Sequence, residues 1–457
     1  PTLMHNLQAV DDWHPTASGI WTSTIGETAE LRYTDLAAEA PRLERINEFP
    51  DRPFPFAPGA VQYALSDDGP IMVRIPCEPG ETLYGFGLQL DGVNQTGKVL
   101  DLKIDHWGQG RTHAPVPFYL SSRGYGVFFN TARYLTVHSK ISNRKDASQR
   151  PPEVDRNPPP SEVADQPGPW QAQPPGDAVE CNLYADGVEI IVFSGDSLLE
   201  VMQRYNLYAG GGTLPPLWGL GFWHRVHAHY DAAQVRAEVE AFAENECPLD
   251  VVGLEPGWMS KSYPCTFEWQ TERFPDPAAL TGELLESGIR LNLWENPYIS
   301  QHSRLYEAMY PLSGSHLVWL GIVPDYTLPA ARKLLIEQHK EDDFDIGISG
   351  YKIDEVDGYD VWLWPDHATF PSGTAAEAMR QSYGMQMQQM LYNDLFKANN
   401  QRTYGLVRAS NGAASAYPFV LYSDSYDHSE YITGISSASL SGVQWTPEVR
   451  SAAPPPA

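Results

Sequence analysis

Cysteine is scarce. Cys77, Cys181, Cys247 and Cys265 are the only four in 457 residues, and they stand far apart with no C-x-x-C pair. No histidine lies at metal-ligand spacing from them, so no metal is expected; structural thiols are the simplest reading, and one disulfide stays open. Long hydrophobic runs are missing too. No stretch of about 18 apolar residues occurs, which excludes a membrane-spanning helix. The opening residues PTLMHNLQAVDDWHP lack the basic-then-apolar order of a leader, so one is expected to have been removed or never present. Positive charge is also in short supply: 31 Lys and Arg face 58 Asp and Glu, a net charge of −27. Such a surface repels nucleic acid and anionic membranes and admits neutral or cationic ligands. No glycine-rich phosphate loop is found, so no nucleotide cofactor is expected.

Apolar residues are 42% and aromatic ones 12%, a globular composition. Thirteen Trp and twenty-four Tyr supply flat faces that suit sugar rings, although core packing accounts for most of them. Up to about Tyr208 the chain reads as β: runs such as PIMVRIP, GYGVFFNT and VEIIVFSG are broken by Gly, Asn, Asp and Pro, the pattern of an N-terminal β-sandwich over 1–210. Its segment 150–176 is too proline-rich for ladder or helix and reads as a surface loop.

After GGGTLPPLWG the pattern changes. The strand candidates LGFWHR, LDVVGLEPGW, IRLNLWENP, SGYKIDEVD, TYGLVRAS, PFVLYSD and GVQWTP alternate with helical stretches such as DAAQVRAEVEAFAEN. That alternation predicts an α/β fold over 211–457, a (β/α)8 TIM-type barrel truncated after strand seven and lacking its last unit. Met379, Met385, Met387 and Met390 read as helix packing. Glu255, Trp258, Trp294, Glu295, Asp354, Arg408, Asp424 and Asp427 fall at the C-terminal ends of these strands, the rim where barrel chemistry sits. Cleaving a glycosidic bond needs two carboxyl groups, one at the anomeric carbon and one to protonate the departing oxygen. Lys352 and Arg408 are candidate cations for an ionised nucleophile, with ordinary ion pairs as the alternative.

The ordered segments ETLYGFG, PVPFYLSSRGYGVFFN, LPPLWGLGFW, CPLDVVGLEPGWM, FEWQTERFPDPAAL, GIRLNLWENPYIS, GYKIDEVD and VRASNGAASAYPFVLYSD carry more. The chain from about Glu81 onward resembles glycoside hydrolase family 31. The resemblance implies a retaining exo-α-glycosidase on terminal α-linked hexosides, glucoside and galactoside both in play. It makes Asp354 the nucleophile, Arg408 a ligand of the sugar at subsite −1 and Trp294 part of its wall, with Glu255, Trp258, Lys352 and Trp223 as further substrate-binding candidates. Asp424 aligns on the family's acid/base without a gap, and Asp427 is the alternative. Glu255 stands where the family often has Asp, EVDGYD replaces the Asn-Glu that commonly follows the nucleophile, and Leu421 replaces a tryptophan. The expected partner is an oligosaccharide or α-glycoside. A transglycosylase on the same fold and a catalytically impaired sugar-binding homologue are the competing readings.

Overall fold

The computed structural model describes residues 7–27, 31–66, 69–105, 112–144, 176–357, 363–422 and 428–444. Nearly all of the proline-rich segment, and both Asp424 and Asp427, lie outside them.

Two antiparallel sheets of six strands each come first. One runs, in spatial order, Gln8–Ala9, Gln62–Leu65, Pro70–Pro76, Ala178–Tyr184, Leu135–Ser139, Lys98–Leu102. The other runs His14–Ala17, Ile20–Gly26, Gly187–Ser194, Tyr125–Phe129, Phe118–Ser121, Leu83–Gly85. Side chains alternate across a strand, and the second sheet uses both faces. Val188, Ile190, Val192, Val127 and Phe129 join Val73, Val137 and Val179 of the first sheet in one core. Ile191, Phe193, Phe118 and Phe128 face the other way and belong to the same core as the strands that follow.

The expectation of β structure up to Tyr208 is corrected at its end: Leu198–Tyr208 is a helix, α1. Ser197 caps it by accepting from the Glu200 N–H, and Val201, Met202, Tyr205 and Tyr208 make its buried stripe. Tyr205 stacks on Phe118 at 3.9 Å, so the helix is fixed by the outer face of the second sheet.

A parallel sheet follows, with six strands in sequential order: β1 Trp223–Arg225, β2 Val251–Leu254, β3 Arg290–Glu295, β4 Gly350–Ile353, β5 Gly405–Val407 and β6 Phe419–Leu421. Between them lie α2 Ala232–Glu244, α3 Pro277–Glu286, α4 Pro329–Asp342 and α5 Ala376–Gln389, with α6 His428–Ser439 after β6. Asp231 and Gln234 form a reciprocal capping box at the start of α2, and Asp276 followed by Pro277 starts α3. Met379, Met385, Met387 and Met390 are all fully buried, as helix packing requires. The seventh strand candidate is not a strand within the described residues. There Gln444 lends its carbonyl to the Leu421 N–H at 2.8 Å, and the rest of GVQWTP lies outside them.

Two helices tie this sheet to the first unit. Gln381 of α5 accepts from the Ile104 N–H (2.6 Å) and donates to the Leu102 carbonyl (2.9 Å). Ser437 of α6 accepts from the Gln89 N–H at 2.8 Å.

Candidate active site

Strand register sets the site. Trp294 of β3 pairs with Lys352 of β4, and Ile353 pairs with Val407, so the residues just past the strands, Asp354 and Arg408, emerge side by side. Three donors surround the Asp354 carboxylate. The Trp294 Nε1–H reaches Oδ2 at 2.8 Å, the Arg408 guanidinium reaches Oδ1 at 3.1 Å, and the Glu355 backbone N–H reaches Oδ1 at 2.8 Å. The Asp354 side chain keeps 14% of its exposure, enough to meet a ligand from the rim side. Arg408 also donates through Nε to Asp357 Oδ2 at 2.9 Å, so one guanidinium spans two carboxylates.

A second ionic group lies one strand away. Glu255, just past β2, takes Arg225 of β1 and Lys352 (3.5 Å) on the same oxygen, Oε1. Among the described residues neither cation meets Oε2, and the side chain is 20% exposed. Burial pushes this carboxyl up, but Arg225 and Lys352 outweigh it and hold it below its ordinary value. Arg225 is fixed in turn by Asn292 Oδ1 at 2.7 Å. The Lys352 ammonium and the Arg408 guanidinium both lie over the Tyr422 ring, at 4.9 and 5.6 Å, which joins the two ionic groups across one aromatic face.

Facing the helices, the sheet hides a different network. Glu295 and His339 of α4 are fully buried and meet at 2.7 Å. Burial alone would lower the imidazole, but Glu295 reverses this and raises it to about 9. The Glu295 carbonyl accepts the Asp354 N–H at 2.8 Å, so this packed pair sits directly behind the nucleophile candidate.

Of the residues singled out from sequence, Asp354, Trp294, Arg408, Lys352 and Glu255 converge. Trp258 lies beneath them: it is buried, and its Nε1–H holds the Trp294 carbonyl at 2.7 Å. Trp223 is not brought to the site. It opens β1 at the opposite end of the sheet, donating to the Gly219 carbonyl and packing against Trp218 and Tyr404. Sequence reasoning missed Arg225, Asn292, Asn296, Tyr263, Glu355, Asp357 and Tyr422. Asp357 and Glu355 stood in plain view within KIDEVD; Tyr263 had no signal, because a loop folding back between β2 and β3 brings it.

Carboxylates braced by guanidinium and indole, at the C-terminal end of parallel strands carried by a β unit, define an α/β-barrel protein with a polar rim site. Residues 212–449 match the glycosyl hydrolases family 31 TIM-barrel domain, and 27–137 match the glycosyl hydrolase 31 N-terminal galactose mutarotase-like domain. The chain belongs to glycoside hydrolase family 31. It is 26% identical over 387 residues to an α-xylosidase of Lactiplantibacillus pentosus, covering 81% of this chain and 44% of the relative. An α-xylosidase of Emericella nidulans is 24% identical over 367 residues, with 77% and 42% covered. The chain thus spans less than half the length of these relatives. The dextranase of Flavobacterium johnsoniae, solved with isomaltotriose, shares the fold at a TM-score of 0.68 and 18% identity, over 86% of this chain and 48% of that one.

Proposed function

We propose that the chain is a retaining exo-α-glycosidase that removes terminal α-linked hexosides, with its sandwich over 1–210 and its barrel over 211–457. The observation that supports this most is the brace on Asp354, whose oxygens are both engaged by fixed donors yet remain reachable. In this reading Asp354 attacks the anomeric carbon, the glycosidic C–O bond breaks, and Asp424 gives its proton to the leaving oxygen. The sugar is then held as an ester on Asp354. Water, deprotonated by Asp424, attacks the same carbon and restores the carboxylate. Arg408 and Trp294 steady Asp354 as its charge falls and returns.

A panel of p-nitrophenyl α-glycosides, xyloside included, tests the activity. Proton NMR of the first product, read before mutarotation, tests the mechanism: two displacements leave an α anomer, and a β anomer contradicts them. A sugar acceptor that captures the glycosyl group in preference to water would make the enzyme a transglycosylase.

Glu255 is the proposed specificity carboxylate, because its Oε2, unmet by either cation among the described residues, can accept a sugar hydroxyl while Oε1 stays anchored by Arg225 and Lys352. Glu255→Gln is expected to lower kcat/KM by roughly 10- to 100-fold, since a hydrogen bond to a charged group is weakened and a polar partner is stranded. Glu255→Asp, one methylene shorter, should reorder glucoside, galactoside and xyloside. An unchanged ranking in both variants would leave Glu255 as a rim ion pair.

A further inference from the structure

Glu355, next to the nucleophile, has an unusual setting. Its φ is +58°, a left-handed conformation that a residue with a Cβ adopts only under strain. That twist turns its N–H onto Asp354 Oδ1 (2.8 Å) and swings its side chain to the opposite side, toward β3 and the loop before it. There Asn296 Nδ2 donates to Glu355 Oε2 at 2.7 Å and the Tyr298 hydroxyl donates to the Glu355 backbone carbonyl at 2.7 Å, while the nearby Tyr263 hydroxyl pulls the carboxyl's pKa down. Asn296 is itself held by the Cys265 thiol at 3.2 Å. The Tyr263 ring lies 5.5 Å from Trp294, whose indole N–H is on Asp354. The contacts close into a ring: Asp354, Glu355, Tyr263, Trp294 and back to Asp354.

Resting on the reading of Asp354 as nucleophile, we infer that Glu355 is the positioning residue of that nucleophile, its clamped carboxyl locking Asp354 against Trp294 and Arg408. Two like charges on adjacent residues would repel and turn Asp354 off its donors, so the lock holds while Glu355 keeps its proton. The groups facing it are Asp354 and Asp357 on its own strand end, Tyr263, Cys265 and Tyr298 from the neighbouring loops, and Arg408 bridging the two aspartates. Burial first, and then the Asp354 charge, push the Glu355 carboxyl from 4.5 up to about 8 against the pull of Asn296 and Tyr263. Between those values the folded protein binds a proton that the unfolded chain has released. Stability therefore falls as pH rises through that window.

Three variants test this. Glu355→Ala is expected to lower kcat by roughly 10- to 100-fold with KM changed less than about twofold, the mark of a misplaced nucleophile and not of lost binding. Glu355→Gln keeps an acceptor oxygen but cannot ionise. It should recover most of that loss, move the alkaline limb of the kcat profile upward, and melt at a higher temperature than wild type above pH 8 but not near pH 4.5. Tyr263→Phe, which leaves the ring on Trp294 and removes the hydroxyl, should show a milder form of the Ala effect. A wild type that cleaves glycosides beside variants with unaltered kcat and alkaline limb overturns the positioning role alone. Identical melting profiles of wild type and Glu355→Gln across pH overturn it as well. A wild type that cleaves no α-glycoside overturns the functional reading and this role with it.

Discussion

Asp354→Asn is expected to lower kcat about ten-thousand-fold or more while the protein still folds, because removing a nucleophile deletes the covalent route and not merely a contact. The three donors around this side chain sharpen the expectation. Trp294 and Arg408 reach different oxygens, and the Glu355 N–H shares one of them, so an amide in either orientation turns its NH2 group toward an N–H it cannot accept. Asp354→Ala leaves a small pocket beside a guanidinium, where azide can bind, attack the anomeric carbon and restore part of the turnover as a glycosyl azide. Steady-state rates on an activated aryl α-glycoside, with and without azide, decide the matter. A folded Asn variant with near-normal kcat would place the nucleophile elsewhere.

The second large effect belongs to the group that protonates the departing oxygen. Asp424→Ala is expected to lose disaccharide hydrolysis by roughly 10²- to 10⁴-fold, yet to cleave p-nitrophenyl or fluoride glycosides far better, because an activated leaving group departs with little protonation. The part of the basic limb that Asp424 sets should vanish as well, leaving the part set by Glu355. Asp427 precedes α6, which begins at His428. Its expected role is therefore a helix cap, and Asp427→Ala should cost about 0.5–2 kcal/mol of stability with no leaving-group signature. Leaving-group plots for both variants settle the assignment, and a signature in the Asp427 variant exchanges the roles.

How far the site was legible in the sequence depends on what placed each residue. Asp354 and Arg408 were readable because each directly follows a short apolar run of the parallel sheet, and register alone brings them together. Trp294 was readable for the same reason, alternating with Leu293 and Glu295 along β3. Trp223 was read as substrate-binding because it lies in a strand motif, but a motif does not say which end of the strand a residue occupies. Its position at the start of β1 sends it to the opposite end of the sheet. The helix α1 was lost inside a β-rich region, since Val201, Tyr205 and Tyr208 look strand-like until the Ser197 cap is recognised. The hairpin Ser313–Val318 to Gly321–Pro324, between β3 and α4, also went unread: its tip, Trp319 and Leu320, takes positive φ without the glycine or asparagine that usually signals such a turn. Glu355 was visible as a letter, but its role comes from a left-handed backbone that no pattern of side chains announces.

The second antiparallel sheet, covered on both faces, bears on where this chain can be cut. Phe118, Phe128 and Phe193 point away from the core between the two antiparallel sheets and are fully buried against Tyr205 of α1, in the same core as the strands that follow. A fragment ending before Leu198 would lose α1 and carry those rings bare into water, and one ending near residue 210 would still strip Phe128 of the cover that Gly412 gives it. The border between the two halves therefore separates topologies and not solubilities. Anyone transplanting the catalytic strands onto another scaffold must carry the aromatic underside of the neighbouring sheet along with them.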